Sequence, residues 1–349
     1  MFGILSFSLF AVPMALGLIH GWSYLLWITI LGLLLLAWRK VAFCVASHQK
    51  RIDLTGKAVF ITGCDTGFGH SLALRLFHLG FTVFATCLFP DGEGAQSLRQ
   101  EAGTSHCLHV FKLDVTQDQD VADAKDFLLK NLPENGLWGL VNNACLAPFG
   151  QLESFEEIKK IIDVNALGSI RTTLKLLPLI KKSQEQYRDV IFLFFLGHLI
   201  FMSSISAFIG FGSASYSLSK ILLEKFGEHL SAELKKSGVK VSLIEPGNYA
   251  PATNILKTHN LEKYWNKFDD DETKASYSKE YLQFFANKVD KILKNGKHDS
   301  KEVIDAIIDA LVNQEPKRRY LVATFKEKCL VYAFCYLPAS LLELFLCSY

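Results

Sequence analysis

Charged side chains are missing from the first 38 residues, because all 37 Lys and Arg residues and all 35 Asp and Glu residues follow Trp38. The whole chain has a formal net charge of +2. It therefore lacks the strongly basic character that nucleic-acid binding requires. Hydrophobic residues make up 50% of the chain and charged residues 21%, which excludes a disordered protein. The sequence predicts an uncharged leader followed by an ordinary globular part.

Cysteine pairs are also missing. The chain has 8 cysteines, but none belongs to a C-x-x-C pair or to a His-rich spacing typical of zinc ligands. Several, such as Cys87 and Cys107, lie in apolar strand-like runs, where cysteine behaves as a small hydrophobic residue. We therefore expect no metal site and no disulfide framework, which fits a reducing compartment.

The leader consists of two apolar stretches that meet at His20. The second stretch, 22–38, would be about 26 Å long as a helix, close to the roughly 30 Å hydrocarbon core of a bilayer. The first acidic residue, Asp53, comes after four basic ones, which places the globular part on the cytoplasmic side. Residues 1–38 are predicted to be a membrane anchor of one or two transmembrane helices. A cleaved signal peptide is disfavoured because its basic region is absent.

From Lys57 onward, apolar strand-like runs alternate with amphipathic stretches. Near-continuous apolar strands separated by helices are typical of a parallel sheet covered on both faces. The sequence therefore predicts a single α/β domain with a doubly wound parallel sheet. The predicted strands are 58–62, 82–88, 108–113, 138–142, 199–203, 240–244 and 320–323. The predicted helices are 69–80, 117–131, 154–181, 214–237 and 301–313.

Two segments depart from this alternation. Residues 249–299 are charged and aromatic and come between the last two predicted strands. Ligands of open α/β sheets bind beyond the carboxyl ends of the strands, so this segment is predicted to be a substrate lid. Residues 326–349 include an apolar run that contains Pro338 and Glu343. These two residues favour a tail that contacts the membrane surface over a true span.

A glycine-rich turn, TGCDTGFG, follows the first predicted strand. Its three glycines, Gly63, Gly67 and Gly69, would let the backbone approach a pyrophosphate, whose charge would lie at the N-terminus of the next helix. The spacing is G-x-x-x-G-x-G, which differs from the G-x-G-x-x-G of many dinucleotide-binding proteins. The alternative is a tight turn that binds nothing.

A tyrosine and a lysine are four residues apart at Tyr216 and Lys220. On a helix the two side chains project from one face. A phenol with a pKa near 10 is a poor base at neutral pH, and a nearby ammonium would stabilise its phenolate. This arrangement suits proton transfer to or from an alcohol. Of the 11 tyrosines in the chain, only Tyr216 has a lysine at this spacing.

The glycine turn and the Tyr-Lys pair, in this order, resemble the classical short-chain dehydrogenase/reductase family. The resemblance extends over about residues 55–325 and implies one NAD-binding domain with a Rossmann-type fold. Further landmarks of the family are Asp114 in LDVT, Asn142 in NNA, Asn165 in DVNALGS, Ser204 in a Ser-Ser pair and Gly247 in a Pro-Gly turn.

The resemblance implies a catalytic tetrad. Tyr216 would be the acid/base, and Lys220 would lower its pKa and hold the nicotinamide ribose. Ser204 would orient the substrate oxygen, with Ser203 as the second choice, and Asn165 would support a water that relays protons. The alternative for the two serines is capping of a turn. The implied cofactor-binding residues are Gly63, Thr66, Gly67, Phe68, Gly69, Asp114, Asn142, Tyr216, Lys220 and Gly247.

The cofactor implied is NAD rather than NADP. NADP-preferring members of the family typically have Arg or Lys in the glycine turn or just past the second strand. Here residues 64–66 read CDT and residues 87–90 read CLFP, so no cation is available for a 2′-phosphate. Asp65 would repel such a group.

Three further sequences, TGCDTGFG, GLWGLVNNA and EPGN, together with the apolar leader, resemble the subgroup of retinol, 17β-hydroxysteroid and D-β-hydroxybutyrate dehydrogenases. The resemblance implies a membrane-anchored enzyme that interconverts a hydroxyl and a carbonyl by hydride transfer on a lipophilic alcohol, either a steroid or a retinoid. The alternatives are a small hydroxy acid such as 3-hydroxybutyrate, or a degenerate member that binds cofactor or lipid without turnover. A homo-oligomer stays open.

The location implied is a membrane, either of the endoplasmic reticulum or of mitochondria. The leader contains no arginine, which favours the endoplasmic reticulum over a mitochondrial presequence. Aromatic side chains in the lid would suit a bulky alcohol, although they would equally serve to pack the lid on the domain. These residues are Tyr264, Trp265, Phe268, Tyr277, Tyr281, Phe284 and Phe285.

Two features depart from the family pattern. Cys145 stands where the family has a glycine after NNA, so a side chain is expected near the cofactor ribose. The segment 184–200 is longer than in relatives and contains an apolar run too long for one average strand. Residues 199–202 can still form the fifth strand, so the extra residues are expected to bulge out of the sheet.

Overall fold

A computed structural model of the protein describes the globular part and a short piece of the leader. The chain divides into two compact units, Met1–Ile52 with Asn313–Glu315, and Asp53–Val312 with Pro316–Tyr349. Within the described ranges, no helix is both long enough and apolar enough to cross a bilayer. The described residues are 27–32, 34–35, 38, 56–134, 136–147, 155–185, 197–209, 213–256, 279–313, 315–338 and 340–342.

Several predictions fall on residues outside these ranges. In the predicted anchor, the described residues 27–32, 34–35 and 38 are helical and mostly exposed, and the remainder of 1–38 is not described. Residues 186–196 of the long segment and 257–278 of the predicted lid also lie outside the described residues. Four of the seven lid aromatics, Tyr264, Trp265, Phe268 and Tyr277, lie outside the described residues. The bulge and the role of the lid aromatics therefore stay predictions.

The described part of the globular chain contains one sheet of seven strands. In chain order they are β1 (Ala58–Ile61), β2 (Thr82–Cys87), β3 (Leu108–Lys112), β4 (Leu137–Asn142), β5 (His198–Met202), β6 (Lys240–Pro246) and β7 (Arg319–Val322). Their order across the sheet is β3-β2-β1-β4-β5-β6-β7, and every pair is parallel. The predicted doubly wound parallel α/β sheet is confirmed.

Helices connect and cover the strands. They are α1 (Gly67–His78), α2 (Glu93–Ala102), α3 (Asp118–Asn131), α4 (Phe155–Ile162), α5 (Gly168–Glu185), α6 (Ala214–Glu233), α7 (Lys279–Asn295), α8 (Lys301–Val312) and α9 (Phe325–Tyr336). All four residues of β1 are 0% exposed, because helices pack on both faces of the central strands. This two-sided burial explains why the strands read as continuous apolar runs instead of alternating ones.

The register of the sheet brings the carboxyl ends of its central strands together. Ile61 pairs with Val141, and Met202 at the end of β5 pairs with Ile244 of β6. The segments that follow β1, β4, β5 and β6 therefore leave the sheet at one edge. Ligands of doubly wound sheets bind at this edge, next to the point where the strand order reverses between β1 and β4.

Four elements differ from the sequence prediction, and one of them is α7, which lies in the predicted lid where no helix was predicted. The predicted helix 154–181 is interrupted by a wider π-helical turn, Asp163–Leu167, between α4 and α5. Helix α2 was missed because it is polar and buries only Ala95 and Leu98. The predicted tail begins with the ordered helix α9, in which Val331 packs in a small core with Ile205 and Ile209.

Candidate active site

The turn after β1 has the backbone geometry that the glycines predict. Gly63 and Gly67 have φ angles of 70° and 62°, which glycine adopts at no steric cost. A Cβ atom on Gly63 would lie 2.7 Å from the Cα atom of Ala144, and one on Gly69 would overlap the Gly63 carbonyl oxygen. The turn therefore has room for backbone only at these positions.

Thr62 and Asn143 hold this turn against the end of β4. The Thr62 hydroxyl oxygen accepts hydrogen bonds at 2.9 Å from the backbone N–H groups of Asn143 and Ala144. The Asn143 amide donates at 2.9 Å to the carbonyl oxygens of Thr62 and Gly63. Sequence reasoning assigned no role to either residue, although the NNA motif contains Asn143.

Asn142, which was predicted to bind the cofactor, is 2% exposed. Its side-chain amide donates to the Thr173 hydroxyl on α5 at 2.9 Å. The observed contact of this side chain is thus with the helix beside β4. A direct contact between Asn142 and the cofactor stays a prediction.

The N-terminus of α1 fits a pyrophosphate. Thr66 precedes the helix and makes no side-chain hydrogen bond to it, and the first turn contains no acidic residue. Its backbone N–H groups are therefore not capped by a side chain, and the helix dipole favours an anion there. The Phe68 ring in this turn packs edge-on against Tyr249, with 6.0 Å between ring centroids. The residues present fit a dinucleotide cofactor at this end of the sheet.

Two acidic residues line the side of this edge near β2 and β3. The Asp65 carboxylate accepts hydrogen bonds at 2.9 Å from the backbone N–H groups of Leu88 and Phe89, just past β2. Asp114 accepts from the Thr116 N–H at 2.9 Å and from its hydroxyl at 2.7 Å. A negative group at Asp65 favours a ribose hydroxyl over a phosphate. Asp65 also fixes the chain that follows β2.

Arg99 on α2 also approaches the end of β2, a position that sequence reasoning missed together with the helix. Its Nη1 atom donates to the carbonyl oxygen of Pro90 at 2.5 Å. The guanidinium is therefore engaged with the backbone of the turn after β2. Arg99 is therefore the cation to consider when asking whether this site could bind the 2′-phosphate of NADP.

Asn165 lies in the π-helical turn and is 1% exposed. Its Oδ1 atom accepts from the Leu146 N–H at 2.7 Å, and its Nδ2 atom donates to the Leu146 carbonyl oxygen at 2.8 Å and to the Ser219 hydroxyl at 3.0 Å. π-helical turns are frequent at functional sites. Here the turn lets one side chain join the segment after β4 to α6.

Ser204 and Ser203 follow β5 and differ in their surroundings. The Ser204 hydroxyl accepts from the Ser206 N–H at 3.1 Å, so it does cap a turn, and it lies close enough to the Tyr216 phenol to lower the pKa of that group. Ser203 is 3% exposed, and its hydroxyl has no hydrogen-bond partner within the described part of the chain. Of the two serines, Ser204 is therefore the one that the structure brings to Tyr216.

Tyr216 lies in the first turn of α6, where its N–H donates to the Ser213 hydroxyl at 3.1 Å. Burial raises the pKa of the Tyr216 phenol well above its usual value; the nearby Cys145 thiol raises it further, and the Ser204 hydroxyl lowers it. The cysteine predicted to intrude on this site thus affects the tyrosine directly.

Lys220 is 2% exposed and lies one helical turn beyond Tyr216. Its ammonium donates to the Met202 carbonyl oxygen at 2.7 Å and lies 5.3 Å from the centroid of the Tyr216 ring. Burial is the largest influence on the pKa of the phenol, and the lowering of this pKa by Lys220 stays a prediction.

Behind α6, Arg319 on β7 bridges three carboxylates. Its Nη1 atom lies 2.5 Å from both Glu224 and Glu245, and its Nη2 atom lies 2.7 Å from Glu228. Glu224 and Glu245 are each 3% exposed. Burial and the charge of Glu224 raise the pKa of Glu245 to about 7, although Arg319 lowers it. The cluster joins the helix that carries the Tyr-Lys pair to β6 and β7.

Gly247 follows β6 in the predicted Pro-Gly turn. Its N–H donates to the Val322 carbonyl oxygen at 2.9 Å. The structure thus places the glycine turn, Asn165, Ser204, Tyr216, Lys220 and Gly247 at one edge of the sheet. Hydroxyl and phenol groups that lie together beside a dinucleotide cradle can orient an alcohol and exchange its proton.

Comparison with known proteins agrees with this arrangement. A family model described as "short chain dehydrogenase" matches residues 57–263. Mouse short-chain dehydrogenase/reductase family 9C member 7 is 38% identical over 275 residues, which is 77% of this chain and 82% of that protein. Mouse mitochondrial D-beta-hydroxybutyrate dehydrogenase is 34% identical, with 76% of each chain covered. Mouse retinol dehydrogenase 7 is 33% identical over 92% of this chain and 95% of its own.

Solved structures share the fold. A short chain dehydrogenase/reductase from Burkholderia phymatum, solved in complex with NAD, superposes with a TM-score of 0.63 at 20% identity over 84% of this chain and 96% of its own. A short-chain dehydrogenase from Streptomyces avermitilis superposes with a TM-score of 0.60 at the same identity, over 80% of this chain and 93% of its own. With the family match over residues 57–263, the chain belongs to the short-chain dehydrogenase/reductase family and is an NAD(P)-dependent alcohol oxidoreductase.

Proposed function

We propose that the protein is a membrane-anchored, NAD-dependent oxidoreductase that interconverts a hydroxyl and a carbonyl on a lipophilic alcohol, a steroid or a retinoid. The observation that carries this proposal is the Lys220 ammonium 5.3 Å from the centroid of the Tyr216 ring, with the Ser204 hydroxyl close enough to lower the pKa of the same phenol.

Each residue of the site has a step that its position supports. Tyr216 exchanges the proton of the substrate hydroxyl, and Ser204 donates a hydrogen bond to the same oxygen and orients it. Asn165 fixes Leu146 and α6 relative to each other and so keeps the wall of the site in place. The cofactor, when bound, supplies the hydride acceptor or donor, and Gly63, Gly67 and the N-terminus of α1 would hold its pyrophosphate.

Lys220 lies beside the Tyr216 ring, with 5.3 Å between its ammonium and the ring centroid. Its ammonium is anchored on Met202, at the end of the strand that leads to Ser204. A positive charge at this distance stabilises the phenolate, and a ribose hydroxyl next to Lys220 would give the ammonium a second partner. We infer that Lys220 lowers the Tyr216 pKa and also holds the nicotinamide ribose.

The choice of NAD rests on the glycine turn and the end of β2. No Lys or Arg occurs at residues 63–69 or 87–91, and Asp65 is held at the end of β2 by two backbone N–H groups. A carboxylate here accepts a hydrogen bond from a ribose hydroxyl and repels a 2′-phosphate. Arg99, which lies nearby, is already bound to Pro90.

A lipophilic substrate and a membrane location support each other. The uncharged leader supports an anchor, and α9 exposes large aromatic side chains, with Phe325 82% and Tyr336 79% exposed. The retinol dehydrogenase 7 relative covers nearly the full chain, which supports a retinoid or a similarly bulky alcohol. The D-beta-hydroxybutyrate dehydrogenase relative supports the alternative, a small hydroxy acid.

Alkaline carbonate extraction of the tagged full chain tests the membrane anchor, and imaging tests its location in the endoplasmic reticulum. Release into the soluble fraction would contradict the anchor.

Substrate oxidation by the purified full chain in detergent tests the reaction. NAD is supplied with estradiol, retinol or 3-hydroxybutyrate, and NADH formation is followed. We expect turnover of estradiol or retinol, and a fall in kcat of about a hundredfold or more in Tyr216→Phe. Tyr332→Phe, at a 55% exposed tyrosine on α9, is the matched control and should keep full activity.

The remaining outcomes separate the alternatives. Turnover of 3-hydroxybutyrate alone would replace the lipophilic substrate by a small hydroxy acid. Saturable NAD binding with no turnover of any alcohol would contradict the enzymatic proposal and favour a member of the family that binds cofactor without catalysis.

A further inference from the structure

The N-terminus of α9 is capped by Thr324 and Glu327. The Thr324 hydroxyl oxygen accepts from the Glu327 N–H at 3.3 Å. The Glu327 Oε2 atom accepts in return from the Thr324 N–H at 2.8 Å and from its hydroxyl at 2.7 Å. This reciprocal pair is a capping box, which satisfies backbone donors at the start of a helix.

The second carboxylate oxygen of Glu327 makes a contact that a capping box does not require. Glu327 Oε1 accepts from the N–H of Asn248 at 2.7 Å. Asn248 follows Gly247 in the turn after β6. A Cβ atom on Gly247 would lie 2.6 Å from Glu327 Oε2, so the carboxylate packs directly against this glycine. One side chain therefore caps α9 and fixes the Gly247–Asn248 turn.

The chain after this turn continues to the cofactor cradle. Tyr249 packs edge-on against Phe68 in the first turn of α1. Thr253 lies so close to Gly67 that a Cβ atom on this glycine would be 3.3 Å from the Thr253 Cβ. Residues 247–253 thus form a strap that begins at Glu327 and ends against the glycine turn.

Other contacts hold the strap from the opposite side. The Tyr249 hydroxyl donates to Glu302 on α8 at 2.6 Å, and the Asn248 side-chain amide donates to the Ile292 carbonyl oxygen on α7 at 2.8 Å. These contacts reach the Tyr249 ring and the Asn248 side chain. The hydrogen bond that Glu327 accepts from Asn248 differs from these two contacts. It joins a charged side chain to the backbone of the turn itself.

We propose that Glu327 is a positioning residue that holds the strap 247–253 against the cofactor cradle and thereby preorganises NAD binding. The inference rests on the proposed function only in taking the cradle as the NAD site. Residues 324–336 lie beyond the part of the chain matched by the family model. A segment outside that match therefore contributes to the geometry of the cofactor site.

Hydrogen exchange, measured on the full chain without added NAD, directly tests the contact between Glu327 and the strap. A hydrogen bond to a charged acceptor is worth a factor of about ten to one hundred in a local opening equilibrium. In Glu327→Ala we expect exchange of residues 247–253 to be faster by a factor in this range. Thr324→Ala is the matched control, because it removes the cap on α9 and leaves the Asn248 contact. It should speed exchange in α9 only.

Cofactor binding gives the second readout. Loss of preorganisation weakens NAD binding by no more than the factor by which opening of the strap becomes more favourable. We therefore expect Glu327→Ala to raise the Kd for NAD, measured by quenching of tryptophan fluorescence, by up to the same factor. Glu327→Gln keeps one acceptor oxygen and should give a smaller rise, and Thr324→Ala should leave the Kd unchanged.

The outcomes distinguish this inference from the proposed function. Equal acceleration of strap exchange in Glu327→Ala and Thr324→Ala would reduce Glu327 to a helix cap and overturn the proposal. Unchanged exchange and unchanged Kd in Glu327→Ala would do the same. Absence of turnover in the unmodified protein would contradict the enzymatic proposal while leaving the exchange result to stand.

Discussion

Replacing His198 on β5 by phenylalanine tests how the folded protein responds to acid. His198 is 1% exposed, and its ring packs against Trp138 with 5.0 Å between centroids. Within the described chain, neither ring nitrogen has a hydrogen-bond partner. Burial lowers the pKa of His198 to about 3, and the positive charge of Lys57 lowers it as well. The Ala310 carbonyl, which lies outside hydrogen-bond geometry, raises it.

The size of the effect follows from the two pKa values of His198. The ordinary value for histidine is 6.5 and the folded value is about 3. Above pH 6.5 neither state binds the proton, and the folded protein has its full stability. Below pH 6.5 the unfolded chain binds a proton that the folded protein excludes, so stability falls by about 1.36 kcal/mol per pH unit until pH 3. Between pH 6.5 and pH 4.5 this amounts to about 2.7 kcal/mol.

Urea unfolding of the full chain in one nonionic detergent, at pH 7.5 and at pH 4.5, measures this loss. We expect the free energy of unfolding to fall by about 2.7 kcal/mol more in the unmodified protein than in His198→Phe. Burial also lowers the pKa values of His70 and His109, but these act equally in both proteins. His229→Gln, on the exposed side of α6, is the control for removing one histidine. An identical pH dependence in the unmodified protein and His198→Phe would refute the reasoning.

Two further substitutions probe charge and the acid/base. Arg319→Met leaves Glu224 and Glu245 buried without their cation, so the free energy of unfolding should fall by about 3–5 kcal/mol. The loss of unfolding free energy should be larger at pH 8 than at pH 6. At pH 6 the buried carboxyl groups can bind a proton and become neutral, whereas at pH 8 they stay charged. Arg319→Lys is the control that preserves the charge. A loss of less than about 1 kcal/mol in Arg319→Met would contradict this prediction, because it would show that the cluster behaves as a surface ion pair. Cys145→Gly removes a thiol that raises the pKa of Tyr216. The rise of kcat/KM for alcohol oxidation with pH should therefore move to lower pH, and an unmoved profile would contradict this role of the thiol.

The strands could be predicted because their signal is local. Each buried strand appears in the sequence as a short apolar run, and the fifth was placed at 199–203 against an observed His198–Met202. Helix α2 could not be found in this way, since it buries only two side chains and its polar pattern does not differ from that of a loop. Helix α9 was hidden for the opposite reason: its apolar exposed face suggested a membrane tail and masked its packing on Ile205 and Ile209.

The residues of the site were predictable by type but not by contact. Tyr216, Lys220 and Ser204 were identified from motifs, and the structure places all three at one edge of the sheet. The motifs could not indicate that Asn143, one residue after Asn142, holds the glycine turn. They also could not indicate that Lys220 would be directed to Met202. Both depend on which face of a strand or helix meets its neighbour, and that is decided by tertiary packing.

The π-helical turn Asp163–Leu167 has a consequence for how this chain tolerates change in length. One extra residue in a helical turn rotates everything that follows by about 100° relative to an uninterrupted α-helix. Deleting a single residue here would restore a regular helix without a gap, at little cost to its backbone hydrogen bonds. It would also turn Asn165 away from Leu146 and Ser219. A one-residue deletion in this segment is thus expected to leave a folded protein whose catalytic helix has lost its link to β4.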